Sequence, residues 1–147
     1  MKKFLFRLET LLRHRNNIEE RERSKFSRIR TELAAEVENL QRLRTQQAQV
    51  RADLTVLKSG SGDQGEINWH YRFQDRLCWN VEQSSKRIAR LEGELETQKQ
   101  VMIEASRDAK MIANLRGKKE KEFLAGLERI EQKTIDEIVV TRYSLKA

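Results

Sequence analysis

Two histidines, one cysteine and the acidic pair in "IDE" (residues 135–137) are the side chains whose types could do chemistry in this sequence. Zinc chemistry would need several ligands one helical turn apart, but His14 and His70 are isolated from each other and neither belongs to a zinc-like pattern. General acid–base work would need two carboxylates converging on one substrate atom. Asp136 and Glu137 are adjacent, and neighbours on a helix point in different directions. A phosphate cradle would need a glycine loop between strand and helix, yet "GSGDQG" (60–65) lacks both the flanking strand and the Lys-Ser/Thr of a nucleotide motif. Cys78 is alone and cannot close an internal disulfide, which fits a reducing compartment. The expectation is a protein that is not an enzyme and holds no cofactor and no metal.

The elements around these residues explain why chemistry is absent. Charged residues make up 36% of the 147 residues, aromatics 6%, and there is no proline. At average usage about seven prolines would be present, so near-continuous helix is implied. Phe26, Leu33, Leu40, Gln47 and Leu54 recur every seven residues, interleaved with Ile29, Glu36, Leu43, Val50 and Leu57, and eight of these ten are apolar. A second seam runs Leu77, Val81, Ser84, Ile88, Leu91, Leu95, Gln98, Met102, Ala105, Ala109, Ile112, nine of the eleven apolar. Such a 3.5-residue period marks a coiled coil.

The expected fold is all-α, a long two-stranded antiparallel coiled coil formed by one helical hairpin over residues 1–147. Helix one runs from about 3 to 58, the turn covers 59–65 where Gly60, Gly62 and Gly65 cluster, and helix two runs from about 66 to 144. At 1.5 Å per residue the helices would span about 85 and 120 Å. Pairing about a centre near residue 62 brings Leu43 to Val81 and Leu33 to Leu91. Helix two then overhangs its partner from about residue 122. The stretch "NNIEERERSK" (16–25) has a weak seam, and Gly93, Gly117 and Gly126 lie inside helix two as points of local flexibility. Gln47, Ser84 and Gln98 are polar seam positions able to fix the register.

The net charge of +7 is uneven, since residues 1–31 carry ten Lys/Arg against four Glu. That favours a docking surface at one end. The opening "MKKFLFRLE" starts like a signal peptide, but Arg7 and Glu9 interrupt it before an apolar region forms. No run approaches the roughly 20 apolar residues of a membrane span, so the chain reads as cytoplasmic. The basic pI of about 9.8 raises nucleic acid as a partner. Glutamates interleave with the cations, and the aromatics belong to the turn rather than the basic end, so no nucleic-acid partner is expected.

Trp69, Tyr71, Phe73 and Trp79 follow the turn. Extrapolating the second seam backwards puts Leu77 at d and these four off the seam. They either fold over the turn as a cap or form an exposed apolar anchor for a partner, and both readings stand at this stage. At the other end, Phe4, Leu8 and Leu11 share a face bordered by Arg7, Arg13 and Arg15. Phe123, Leu127, Ile130 and Ile138 form an apolar stripe that needs a cover. Insertion into a hydrophobic, acid-rimmed groove of a partner fits that arrangement.

Three segments together resemble the FliJ family of the flagellar type III export apparatus. They are the opening "FLFRLETLLRHRNNIEERE" with its F-x-L-x-x-L-L pattern, the turn followed by "INWHYRFQDRL", and the ending "EQKTIDEIVVTRY" with its Q-K-x-x-D-E signature. The resemblance covers essentially the whole chain. It implies a stalk-like coiled coil, similar to the central stalk of rotary ATPases, in a motility system. It implies docking on the hexameric export ATPase through Phe4, Arg7, Leu8, Leu11, Arg13, Gln132, Lys133, Asp136, Glu137 and Arg142. It also implies contact with the export gate membrane protein through Trp69, Phe73, Leu77, Asn80 and Ser84, of which the last two are polar. Export chaperones are further implied partners, with no residues assigned. The implied protein is a monomer, cytoplasmic and held peripherally through its partners at the inner membrane beneath the flagellum. A virulence injectisome stalk protein and a structural homodimeric coiled coil are the alternatives.

Overall fold

The computed structural model describes residues 2–60 and 62–147. It is all-α: α1 spans Glu9–Ser59 and α2 spans Gln64–Lys146. The two long helices pack against each other as an antiparallel helical hairpin.

Each boundary has a local cause. The Leu8 carbonyl accepts from the Leu12 amide at 2.9 Å and starts the α1 ladder, while Glu9 sits in the first turn where a negative charge suits the exposed amides. Helix one therefore begins at Glu9 rather than at the expected residue 3. Residues 2–6 form a non-helical arm that ends in a turn, closed by Glu9 N donating to Phe6 O at 3.2 Å. The arm's apolar side chains find a partner across the hairpin instead: the Phe4 ring lies 5.7 Å from that of Phe123. Arg116 stacks over Phe4 at 5.8 Å and bonds the Glu9 carboxylate at 3.0 Å. At the other helix start, the Asp63 carbonyl accepts from the Ile67 amide at 3.1 Å, an N-cap position for a residue type suited to it. Gly65 thus falls inside the first turn of α2.

Among the described residues no glycine adopts a positive φ, so the turn's glycines are not there for left-handed backbone. Gly62 is there for space. A Cβ on it would stand 2.7 Å from the Leu57 carbonyl oxygen and 3.2 Å from the Leu57 side chain. Gly62→Ala is expected to cost about 1–3 kcal/mol by overpacking. Gly60→Ala, whose Cβ would meet its nearest atom at 3.6 Å, is expected to be neutral or stabilising by up to about 1 kcal/mol. Thermal melts of the two variants check this, and equal melting temperatures would remove the steric account.

The chain divides into two compact units, Met1–Arg21 with Ile103–Ala147, and Glu22–Met102. In the second of these, Val50, Leu54 and Leu77 form a buried cluster with Leu43, Ile67 and Phe73 packed onto it. Leu91 and Ser84 are buried further along α2. Polar seam positions find partners across the helices. The Ser84 hydroxyl donates to Glu36 Oε1 at 2.7 Å, Gln98 Nε2 donates to the Glu22 carbonyl at 3.0 Å and also to its carboxylate, and Gln47 Nε2 approaches Cys78 Sγ at 3.4 Å. A centre at residue 62 would face Glu36 with Ile88 and Gln98 with Phe26. The bonded partners lie one turn away, because long Glu and Gln side chains reach along the seam.

In the unit that holds both terminal segments, Leu12, Ala105 and Ala109 are buried. Arg15 bridges to Asp108 at 3.3 Å and Arg116 to Glu9 at 3.0 Å, giving the pairing two charged ties. The uncovered part of α2 starts later than the expected residue 122. Phe123, Gly126 and Leu127 are half-buried, and every residue is exposed only from Glu128 onward.

Candidate functional site

Among the described residues no group of three His, Cys, Asp or Glu could hold a metal ion. Two surfaces stand out, one in each unit.

The surface of the Glu22–Met102 unit is built by the first turns of α2. Phe73 is half-buried against the Val50–Leu54–Leu77 cluster, and the Trp69 ring stacks on it at 5.4 Å with an 11° interplanar angle. The stack leaves Trp69 59% exposed. His70 meets Trp69 edge-on at 5.0 Å, and its Nε2 lies 4.0 Å from Asp53 on α1. Lys58 Nζ sits 4.8 Å over the Tyr71 ring, and Trp79 is 60% exposed. The aromatics therefore divide: Phe73 caps the core, while Trp69 and Trp79 present large apolar faces to solvent. Of the expected gate-binding residues, Trp69 is exposed, and Phe73 and Asn80 are half-buried. Leu77 and Ser84 are both 2% exposed and offer no surface while the helices stay paired. Their seam positions turn them toward α1, Leu77 against the core and Ser84 against Glu36. Trp79 and Tyr71 are exposed neighbours that the expected gate set omits, although both already lay off the seam.

The surface of the other unit combines the arm, the start of α1 and the end of α2. Phe4 is half-buried on Phe123, whereas Arg7 and Arg13 are exposed and Leu8 and Leu11 partly so. A groove of about 840 Å³ runs between the arm and α2, lined by Phe4, Leu5, Phe6, Leu115 and Phe123 with Lys3, Arg7 and Lys119 among its charged residues. On α2, Gln132, Lys133, Asp136, Glu137 and Arg142 are all exposed. Gln132 Nε2 donates to Asp136 Oδ1 at 3.1 Å within the helix. Beside them Ile130, Ile135, Ile138, Val139, Val140, Tyr143 and Leu145 are exposed as well. Val139, Arg142, Tyr143, Leu145 and Lys146 outline a shallow concavity there. The stripe positions Ile130 and Ile138 were legible in the sequence; Ile135 and Tyr143 lie off that stripe and were not.

No described helix is long and apolar enough to cross a membrane. Comparison with curated proteins and with solved structures gave no match. The family model for the flagellar FliJ protein matches residues 3–147. With that match spanning nearly the entire chain, and two long paired helices beneath it, this protein belongs to the FliJ family and is a component of the flagellar export apparatus.

Proposed function

We propose that this protein is a non-enzymatic coupler of flagellar export. The unit with both terminal segments docks on the hexameric export ATPase, and the aromatic surface at the start of α2 engages the export gate. Export chaperones are taken as further partners. The chain acts as a monomer, since its polar seam positions find their partners within one hairpin.

One observation carries the reading. Beyond Leu127 the helix α2 continues to Lys146 with its apolar residues uncovered, in the same unit as a basic arm and the partly exposed Leu8 and Leu11. A helix that keeps Ile, Val and Tyr in water is stable only at a cost, which burial against a partner removes. Cations around that face suit a partner with an acidic rim. The second surface, Trp69 and Trp79, belongs to the other unit.

The test is turnover of the cognate export ATPase with this chain, beside two variants, Leu8→Ser/Leu11→Ser and Ile135→Ser/Val139→Ser. All four residues are at least 38% exposed, so helicity should survive. Stimulation of turnover with hexamer formation is expected, with affinity falling at least about tenfold in each variant, the equivalent of about 1.4 kcal/mol of lost binding. No stimulation by the unaltered chain would overturn the reading.

A further inference from the structure

We propose that the arm and the turn that ends it, residues 2–8, bind directly to the surface of a bilayer containing anionic lipid. The inference goes beyond docking on the ATPase, and its test contains no ATPase.

The sequence of this segment is "KKFLFRL", three cations and four apolar residues without a carboxylate. Its backbone is not helical, so its side chains are not committed to the α1 seam. Phe4 is pinned on Phe123 and covered by Arg116, which itself holds Glu9. That anchor at the middle of the arm leaves Leu5 outside, 87% exposed, between Lys3 and Arg7, which are both exposed. Lys119 of α2 joins Lys3 and Arg7 along the same groove. Lys119 pairs with the groove's one acid, Glu122, at 3.1 Å, so those two cancel and the net positive charge beside Leu5 comes from Lys3 and Arg7.

Cations encircling an exposed aliphatic side chain match an anionic leaflet, which offers headgroup charge and hydrocarbon within a few ångströms of each other. A nucleic acid would match the charge but has no hydrocarbon for Leu5. Stacking on bases would call for exposed aromatics among these cations, and the arm's own Phe4 and Phe6 are half-buried. One short arm gives a weak, reversible attachment, because a single small apolar anchor is marginal without several cations beside it.

The experiment is co-sedimentation of the full chain with vesicles of phosphatidylcholine plus phosphatidylglycerol, and with vesicles of phosphatidylcholine alone. Binding is expected only to the first. Release is expected as salt rises from about 0.1 M to 1 M, over which the screening length falls from about 10 to 3 Å. Lys2→Gln/Lys3→Gln is expected to weaken partitioning about 25-fold, each cation contributing about fivefold (about 1 kcal/mol). Leu5→Ser should weaken it several-fold at every salt concentration. These residues are exposed and outside both helices, so circular dichroism should be unchanged in the variants. Glycerol phosphate in solution should not compete. Failure to bind, equal binding to both vesicle types, or indifference to the lysine substitutions would overturn the proposal. So would competition by glycerol phosphate, which would mark a free-phosphate site. Equally tight binding of a single-stranded oligonucleotide, unaffected by Leu5→Ser, would mark a general polyanion surface and overturn it too.

Discussion

Leu77→Ala should lower the free energy of unfolding by about 2–5 kcal/mol, the range for truncating a fully buried leucine. Leu77 is 2% exposed and packs with Val50 and Leu54 in the buried cluster of its unit. Trp69→Ala should cost about 1 kcal/mol or less, the worth of an exposed aromatic stack on Phe73. Binding to the export gate should show the reverse order. Trp69→Ala should weaken it at least about tenfold while the chain stays folded, as expected of an interfacial anchor. Any loss in Leu77→Ala should track its loss of helicity and recover at lower temperature. Urea denaturation followed by circular dichroism gives the first comparison, and titration with the gate's cytoplasmic portion gives the second. If Trp69→Ala binds the gate like the unaltered chain, the aromatic surface has been assigned the wrong partner.

The second large effect concerns the polar seam. Ser84→Ala removes the hydroxyl that donates to Glu36 at 2.7 Å, leaving that carboxylate with Asn39 at 3.4 Å and Arg87 at 3.7 Å. A loss of about 1 kcal/mol is expected, the net worth of one hydrogen bond, because Asn39 and Arg87 still serve the carboxylate. Glu36→Leu/Ser84→Ala removes both polar members without enlarging the buried Ser84 site. It should be nearly as stable as the unaltered chain, because neither partner is left unpaired. The accompanying loss is specificity of register, because only Gln47 and Gln98 then remain as polar seam positions to set it. Urea denaturation of both variants, with the solution mass of the double variant, checks the two effects together.

Acid should reveal the same pairs. The Ser84 hydroxyl holds the Glu36 carboxyl below its ordinary 4.5, with Asn39 and Arg87 assisting and partial burial opposing. The Gln98 amide holds the Glu22 carboxyl below the same value, with Lys25 assisting and burial opposing. A carboxyl with a depressed value stabilises the fold above its unfolded value, and that contribution disappears as pH falls through the folded value. The melting temperature should therefore fall below about pH 4.5, and Glu36→Gln should flatten the fall. A Glu36→Gln variant with an unaltered acid limb would show that the bond to Ser84 does not favour the charged form.

How far the sequence could be read depended on the range of the forces involved. Heptad spacing is a local, repeated signal, so the paired helices and the turn between them were readable from Phe26–Leu57 and Leu77–Ile112. The arm was not. Phe4, Leu8 and Leu11 do fall on one helical face, but Phe4 settles instead against Phe123, a contact between residues far apart in sequence. The role of Glu36 was hidden for the same reason: a carboxylate at a seam position reads as a flaw until Ser84 is known to face it. Leu77 and Ser84 illustrate a different limit. A seam position points at the partner helix, and the resemblance that gave these residues an outer partner took no account of that direction. Trp69 escaped the difficulty because it lies off the seam.

Gly93, Gly117 and Gly126 in α2 have open space where a Cβ would stand, with nothing within 4 Å. Packing therefore does not require them, and each forgoes about 1 kcal/mol of helix stability relative to alanine. In mechanical terms they are compliant points in an otherwise stiff beam, where the backbone yields first under bending or twisting load. Alanine at all three would make a stiffer α2 with the same lateral contacts, so elasticity could be varied while the exposed surfaces of both units stay unchanged.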